Sequence, residues 1–157
     1  MTGVLILLGS KSDKPVADKA AALLKELGVP FQVTVASTHR SPKRVEELVA
    51  ADKHDVYIGI AGVAAALPGS IASFTTKPVI GVPCSGAVNL DSILSMVQMP
   101  PGVPVATVGL DRGDNAALLA AQILALNDPA LAQRLKAHKQ QQAEKVLRDA
   151  KELEGAY

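Results

Sequence analysis

The stretch Val4 to Asp13, VLILLGSKSD, decides the fold of this chain. Its first five residues are all apolar, which predicts a strand buried on both faces, as strands of parallel sheets are. A polar turn follows at residues 9–13, and Pro15 then favours the start of a helix. Apolar and Ala positions recur at helical spacing as far as Leu27. The first unit of the chain is therefore a strand, a polar loop and a helix.

The same pattern recurs along the chain. Further strands are predicted at residues 31–36, 56–61, 79–82 and 103–110, and helices from Pro42, within 62–74, and at 92–97, 115–126 and 129–153. This alternation predicts a single α/β domain over residues 1–157, a three-layer sandwich with a parallel sheet between helices. Ligands bind such sheets at the carboxyl ends of the strands. The polar loops at 10–13, 37–40, 61–69 and 83–91 should therefore meet at one edge.

Composition excludes several classes of function. With 157 residues, 48% of them apolar and 3% aromatic, the chain has the length of one domain whose core is built from Ala, Val, Leu and Ile. A net charge of +1 provides no basic surface for nucleic acid. No basic leader or cleavage motif precedes the first strand, and no apolar run approaches about 18 residues, so we expect a cytoplasmic protein that does not contact membranes.

The last two helices indicate contacts between subunits. Residues 115–126, NAALLAAQILAL, are apolar almost all round, and a helix without a polar face is normally buried. In so small a domain, burial on every side predicts a second subunit. The final helix begins with Asp128 as N-cap and Pro129 as its first residue, and its Gln and Lys clusters predict that it is solvated or packs on a neighbouring subunit.

A histidine and an arginine lie side by side after the second strand, in the segment STHRSP at residues 37–42. Histidine titrates near physiological pH, whereas arginine keeps its charge and presents a fork of donors to phosphate or carboxylate. Such a pair in a polar loop is more often an ordinary solvated surface. Beside other polar loops at a sheet edge, His39 and Arg40 predict acid–base chemistry on an anionic substrate.

The turn GSKSD at residues 9–13 has the ingredients of an anion site, namely a glycine, two hydroxyl groups and the N–H groups of a helix start. The alternative is an ordinary turn with Ser12 or Asp13 as the N-cap of the helix. These residues could share a ligand between them: Ser10 and Arg40 would bind its phosphate, and Asp13 would bind its ribose diol.

Familiar cofactor and metal motifs are absent from the sequence. Neither G-x-G-x-x-G nor a Walker A motif follows the first strand, and two Phe and two Tyr are few for a flavin site. The three histidines are scattered, so no metal site is predicted, and we expect His54 and His138 to lie at the surface. The single cysteine, Cys84, has an apolar setting that predicts a buried thiol rather than a nucleophile.

Six ordered motifs resemble those of the PurE family over almost the whole chain. They are GSKSD at 9–13, STHRSP at 37–42, AGVAAALPG at 61–69, PVIGVP at 78–83, DSILSMVQMP at 91–100 and NAALLAA at 115–121. The resemblance is to the class I enzymes, the N5-carboxyaminoimidazole ribonucleotide mutases of purine biosynthesis. It implies a flavodoxin-like fold, a homo-octamer with active sites where subunits meet, and no metal or organic cofactor.

The resemblance also implies a reaction and a role for each matching residue. The family moves a carboxylate from the exocyclic amine of N5-carboxyaminoimidazole ribonucleotide to ring carbon C4, through CO2 trapped beside aminoimidazole ribonucleotide. His39 would act first as general acid and then as general base. The imidazole ribonucleotide would be bound by the residues at the family's contact positions, which are Ser10, Ser12, Asp13, Ser37, Arg40, Gly62, Ala64, Ala65 and Leu67.

Two residues depart from the usual class I motif Ala-Gly-Gly-Ala-Ala-His-Leu-Pro-Gly. Val63 stands where the family has a glycine, and Ala66 stands where it has a histidine. The second change would leave proton transfer to His39 alone. Two alternatives to the mutase therefore stay open, an aminoimidazole ribonucleotide carboxylase that takes free CO2 and a non-catalytic ribonucleotide-binding relative.

Overall fold

Five parallel strands form one sheet at the centre of the protein. The structure, a computed structural model, describes residues 3–157. The strands are β1 (Val4–Leu8), β2 (Phe31–Val35), β3 (Val56–Ala61), β4 (Val79–Pro83) and β5 (Ala106–Thr107). Their order across the sheet is β2-β1-β3-β4-β5, the order of flavodoxin-like sheets, which switches direction between β1 and β3. The predicted α/β fold is confirmed.

Six helices connect the strands and end the chain. They are α1 (Lys14–Glu26), α2 (Pro42–Ala50), α3 (Leu67–Ser73), α4 (Asn89–Val97), α5 (Gly113–Ala125) and α6 (Pro129–Glu154). Proline occupies the first turn of α1, α2, α3 and α6, where its missing N–H group has no helical partner to lose. The starts of α1, α2 and α6 were predicted from their prolines, whereas α3 was predicted only to lie within residues 62–74.

The sheet separates two apolar cores. Alternate side chains of β1 enter different cores, because successive residues of a strand point to opposite faces. Val4, Ile6 and Leu8 pack with α1 and α5 on one side, and Leu5 and Leu7 pack with α2, α3 and α4 on the other. Every residue of β1 is buried, as its unbroken apolar run predicts.

The fifth strand is much shorter than predicted. The pattern at residues 103–110 indicates a full strand, but β5 pairs with β4 at only two positions. Pro104 has no N–H group to contribute to the ladder, and the Val103 N–H group turns back to the Pro100 carbonyl at 3.2 Å. Beyond the strand, two hydrogen bonds continue the contact with β4: the Val108 N–H group donates to the Gly81 carbonyl at 3.0 Å, and the Asp111 N–H group donates to the Pro83 carbonyl at 2.9 Å. An edge strand tolerates this loss because only one neighbour pairs with it.

The two C-terminal helices expose apolar side chains in the single chain. Four alanines of α5 are fully buried, but its larger residues Leu118, Leu119, Ile123 and Leu124 are only half-buried. In α6 only Leu131 is fully buried, and Val146, Leu147 and Leu153 are each more than 60% exposed. Burial of these faces by another subunit stays a prediction. None of the helices described within residues 3–157 has the length and hydrophobicity to cross a membrane.

Candidate active site

A cleft of about 360 Å³ opens at the carboxyl edge of the sheet, where the loops after β1, β2 and β3 meet. This is the switch point at which sheets of this order bind ligands. All ten residues that sequence reasoning selected for catalysis or substrate binding line it, namely Ser10, Ser12, Asp13, Ser37, His39, Arg40, Gly62, Ala64, Ala65 and Leu67. The wall also includes Thr38, Val63 and Ala66, which the motifs did not predict as substrate contacts.

The loop after β1 is a capped turn of 3-10 helix over Lys11–Asp13. The Ser10 N–H group donates to Asp13 Oδ2 at 2.9 Å, and the Ser12 N–H group donates to Ser10 Oγ at 3.4 Å. This reciprocal pattern is a capping box. Ser10 is therefore the residue whose side chain caps the turn, whereas Asp13 stands at the N-cap of α1 without capping it. The box fixes both side chains, which line the cleft.

The environment of the Asp13 carboxyl raises its pKa. Burial is the largest cause, since it disfavours the charged form. Hydrogen bonds from the Ser10 N–H group, the Ser12 hydroxyl and the Cys84 thiol, together with the Arg40 charge, act in the opposite direction without cancelling it. The carboxyl is thus oriented by three donors at the wall of the cleft.

Cys84 lies behind Asp13 and is 7% exposed. Burial raises the pKa of its thiol to about 12, and the nearby charges of Asp13 and Asp111 and the hydrogen bond to Asp13 contribute in the same direction. A thiol with such a pKa stays protonated at neutral pH and is a poor nucleophile. The expectation of a buried thiol is confirmed.

Arg40 connects the loop after β2 to the loop after β1. One terminal nitrogen of its guanidinium donates to the Gly9 carbonyl at 2.9 Å, and Nε donates to Ser37 Oγ at 3.3 Å. The backbone N–H group of Arg40 also donates to Ser37 Oγ at 3.3 Å. The side chain remains exposed, so its other N–H groups are free to make a bidentate contact with an anion.

His39 is exposed at the mouth of the cleft, next to Arg40. Its loop is held by Ser41, whose hydroxyl accepts a hydrogen bond from the Ser37 N–H group at 3.0 Å, and α2 begins at the next residue, Pro42. Among the residues that the structure describes, none makes a hydrogen bond to the imidazole. Both ring nitrogens are therefore available to exchange a proton with a ligand.

The loop after β3 forms the opposite, mainly apolar wall. A hydrogen bond of 3.0 Å from the Ala65 N–H group to the Gly62 carbonyl closes a turn. Val63, the first central residue of this turn, has a φ of 56°, and Ala65 has a φ of 28°. A β-branched residue rarely adopts such a φ, and the strain costs roughly 1–3 kcal/mol. Ala66 presents only a methyl group, so His39 is the one imidazole that lines the described cleft.

The other two histidines lie away from the cleft. His54 was expected at the surface but is half-buried, and burial lowers its pKa, with the positive charge of Lys77 acting in the same direction. His138 was also expected at the surface, yet its side chain is 12% exposed and its Nδ1 lies 3.0 Å from Glu26 Oε1. Within residues 3–157, no three His, Cys, Asp or Glu side chains form a group that could hold a metal ion.

Comparison with known proteins identifies the family. A family model described as AIR carboxylase matches residues 3–145. The N5-carboxyaminoimidazole ribonucleotide mutase of Methanocaldococcus jannaschii is 56% identical over 144 residues, which cover 91% of this chain and 92% of the relative. The enzyme of the same name from Pyrococcus horikoshii is 49% identical over 154 residues, which cover 95% of this chain and 87% of the relative.

A solved structure agrees with these sequence relatives. The crystal structure of Treponema denticola PurE matches with a TM-score of 0.86 at 33% sequence identity, over 96% of this chain and 97% of that chain. The sheet order defines a flavodoxin-like α/β protein, and its cleft lies at the switch point, where such sheets bind ligands. The chain belongs to the AIR carboxylase family, which includes PurE, and the resemblance seen in its motifs is confirmed.

Proposed function

We propose that this protein is an N5-carboxyaminoimidazole ribonucleotide mutase, an isomerase of de novo purine biosynthesis. Family membership and relatives of that name at 49–56% identity over nearly the full chain support the activity. The observation that carries the mechanism is the position of His39 and Arg40 beside the capped turn at residues 9–13, around one cleft. Acid–base chemistry on a ribonucleotide needs an imidazole to transfer protons, a fixed cation to bind the phosphate and an oriented carboxyl to bind the ribose. His39, Arg40 and Asp13 provide these three groups.

The substrate binds with its phosphate toward Arg40 and Ser10. The free guanidinium N–H groups supply charge-assisted hydrogen bonds, and the Ser10 hydroxyl adds a neutral one. The Asp13 carboxyl, oriented by its three donors, accepts hydrogen bonds from the ribose diol. The imidazole ring and its carboxylate then face the loop after β3, where Gly62, Ala64 and Ala65 allow close approach of the backbone. Ser12, Ser37 and Leu67 complete the walls.

His39 moves the proton in both halves of the reaction. As the bond between the carboxyl carbon and the exocyclic nitrogen breaks, its electrons stay on nitrogen, which takes a proton from the His39 imidazolium. The products of this half are CO2 and aminoimidazole ribonucleotide. Carbon C4 then gives an electron pair to the carbon of CO2, and neutral His39 removes the C4 proton. The imidazolium is restored, so the cycle consumes no proton.

A carboxylase that takes free CO2 is the second candidate. It shares the second half of the mutase reaction, and the family model carries that name. Ala66 favours this candidate, because it removes an imidazole found at this position in class I enzymes. The two candidates differ only in the carboxyl donor that binds productively.

The donor is tested with labelled substrate. We expect the purified protein to convert N5-carboxyaminoimidazole ribonucleotide, labelled with 13C in its carboxyl group, into C4-carboxylated product that keeps the label in the presence of unlabelled bicarbonate. The parallel reaction supplies aminoimidazole ribonucleotide and 13C-bicarbonate. Product formed only in the parallel reaction would replace the mutase with the carboxylase, and no product from either donor would favour the non-catalytic alternative.

We also propose that eight copies assemble in the cytoplasm, with active sites at subunit interfaces and α6 packed on a neighbouring subunit. The half-buried leucines and isoleucine of α5 and the exposed residues Val146, Leu147 and Leu153 of α6 support this. These apolar faces are expensive to leave in water. The open mouth of the cleft leaves room for residues of a second subunit.

A further inference from the structure

Val63 occupies a turn position that suits glycine. It is the first central residue of the turn closed by Gly62 and Ala65, and it has a positive φ while the second central residue, Ala64, does not. Glycine is the usual residue at such a position because it has no Cβ to crowd the backbone. The class I motif has glycine here. This chain therefore has valine, with a strained backbone, at a position where glycine would adopt the same φ without strain.

Among residues 3–157, no polar contact or core packing offsets the strain at Val63. Two other non-glycine residues with comparable φ values, Asp52 and Asp111, gain polar contacts: Asp52 Oδ1 lies 2.7 Å from Lys77 Nζ, and Asp111 Oδ1 accepts from the Ser85 N–H group at 2.9 Å. Aspartate also tolerates this conformation better than a β-branched residue. Val63, in contrast, is 82% exposed and packs in neither core.

The position of Val63 indicates what its side chain contacts when the protein works. It lines the cleft on the same wall as Ala64 and Ala65, whereas the charged and hydroxyl groups of Ser10 and Arg40 lie on the loops after β1 and β2. A ribonucleotide whose phosphate binds the polar loops presents its flat heterocycle to the apolar wall. An exposed branched alkyl group at that wall can pack on the ring and displace water.

We propose that Val63 covers the imidazole ring of the bound ribonucleotide and shields the migrating carboxyl group from water. The proposal rests on the mutase function proposed above. In the shielded site, CO2 formed beside the ring meets C4 before it escapes. In an unshielded site it diffuses into solvent, and the substrate plus one proton becomes aminoimidazole ribonucleotide and free CO2. Val63 is thus a specificity-determining residue that keeps the reaction on the mutase path.

Two variants separate the effect of the Val63 side chain on the bound ring from the effect of the backbone strain. Val63→Ala removes the two methyl groups and keeps the strained backbone, whereas Val63→Gly removes both. We expect both variants to raise KM for N5-carboxyaminoimidazole ribonucleotide about tenfold, the effect of losing burial of a valine side chain. Both should also release 13C label into the bicarbonate pool and accumulate aminoimidazole ribonucleotide. Only Val63→Gly should raise Tm, by about 2–4 °C.

Val33→Ala is the matched control, since Val33 is an exposed valine on β2 that does not line the cleft. It should keep the wild-type KM and label retention. Wild-type retention of label in both Val63 variants would overturn the proposal, as would leakage in Val63→Gly alone, which would assign the effect to the backbone. A change of assembly without leakage would make Val63 a subunit contact instead. Wild-type protein that fails to convert the substrate would remove the mutase function itself, and this proposal with it.

Discussion

The Asp13 carboxyl is held half-buried, between the Ser10 N–H group and the Cys84 thiol. Its pKa is raised because burial outweighs the donors around it. A carboxyl with a raised pKa favours folding when it is protonated, and this contribution is lost as pH rises through the pKa of the folded state. The burial of this carboxyl therefore lowers the stability of the fold as pH rises, whereas the hydrogen bonds that orient it act in the opposite direction.

Substitution Asp13→Asn should stabilise the protein at neutral pH and impair its activity. The amide resembles the protonated carboxyl and is never charged, so the variant avoids the burial of a negative charge. We expect its Tm to exceed that of the wild type at pH 7. The difference should shrink as pH falls toward the ordinary Asp value of 3.8, where the wild type becomes protonated as well. Calorimetry from pH 3 to pH 8 measures the Tm difference at pH 7 and its change on acidification. A gap that is constant or widens on acidification would contradict the raised pKa.

Substitution His39→Asn should abolish turnover and leave the fold and substrate binding nearly intact. Asparagine cannot exchange a proton near physiological pH, but it fills a similar space at an exposed position. We expect ribonucleotide affinity within about tenfold of the wild type, roughly 1.4 kcal/mol. Titration calorimetry and the 13C assay measure the two effects. His138→Asn, outside the cleft, is the control that should keep activity; a fully active His39→Asn would remove the proposed acid–base group.

Residue types and their loops were predictable, but their contacts were not. His39, Arg40 and Asp13 follow predicted strands, so their meeting at one sheet edge could be expected from topology. The hydrogen bond from Arg40 to the Gly9 carbonyl and the contact between Asp13 and Cys84 join residues far apart in the chain. Such pairs leave no periodic signal in a sequence.

At the scale of elements, the packing of α1 against α5 depends on a small residue at the start of α5. A Cβ atom added to Gly113 would lie 2.1 Å from the Val16 carbonyl oxygen of α1. No side-chain rotation relieves a contact with backbone. The two helices can approach this closely only because position 113 has no side chain.

Substitution Gly113→Ala should therefore destabilise the protein by about 1–3 kcal/mol, because one helix must shift in a packed core. Chemical denaturation with urea measures the change in free energy of unfolding. Gly86→Ala is the control, since no heavy atom outside its own neighbourhood lies within 4 Å of an added Cβ. Equal stabilities for the two variants would show that α1 and α5 separate without penalty.

Element starts and ends were predictable where a local signal exists. Proline marks the first turn of α1, α2, α3 and α6, and the apolar runs of β1 and β3 match the observed strands. The fifth strand was predicted too long because its residues have strand-like composition, while its length depends on pairing with β4 at the sheet edge. Local preference yields to tertiary pairing at such a position.

At the scale of the whole molecule, the C-terminal end of α6 contributes little to the packing of a single chain. Nearly every residue after Gln142 is exposed, and Val146, Ala150 and Leu153 recur at helical spacing to form an apolar stripe. A stripe of this kind on a solvated helix is typical of a surface that packs on another subunit.

Truncation after Ala143 should leave the domain folded and weaken assembly. The removed residues bury little surface in the chain itself, so far-UV circular dichroism should keep the mixed α/β signature. Light scattering should give about eight times the 16.2 kDa chain mass for the full-length protein and a smaller particle for the truncated one. Retention of the octamer after truncation would contradict packing of α6 on a neighbour, and a full-length monomer would contradict the assembly as well.

The sequence by itself determined the alternation of strands and helices, the family, and which ten residues meet in the cleft. Periodicity and turn chemistry determine the alternation, topology brings the polar loops to one edge, and the resemblance of the motifs to a known family selected the family and the full set of ten residues. The tertiary structure alone decided the length of β5, the raised pKa of Asp13 and the strained φ of Val63. Each of these depends on burial or geometry set by residues distant in sequence. Local patterns do not encode such interactions, so only the folded chain reveals them.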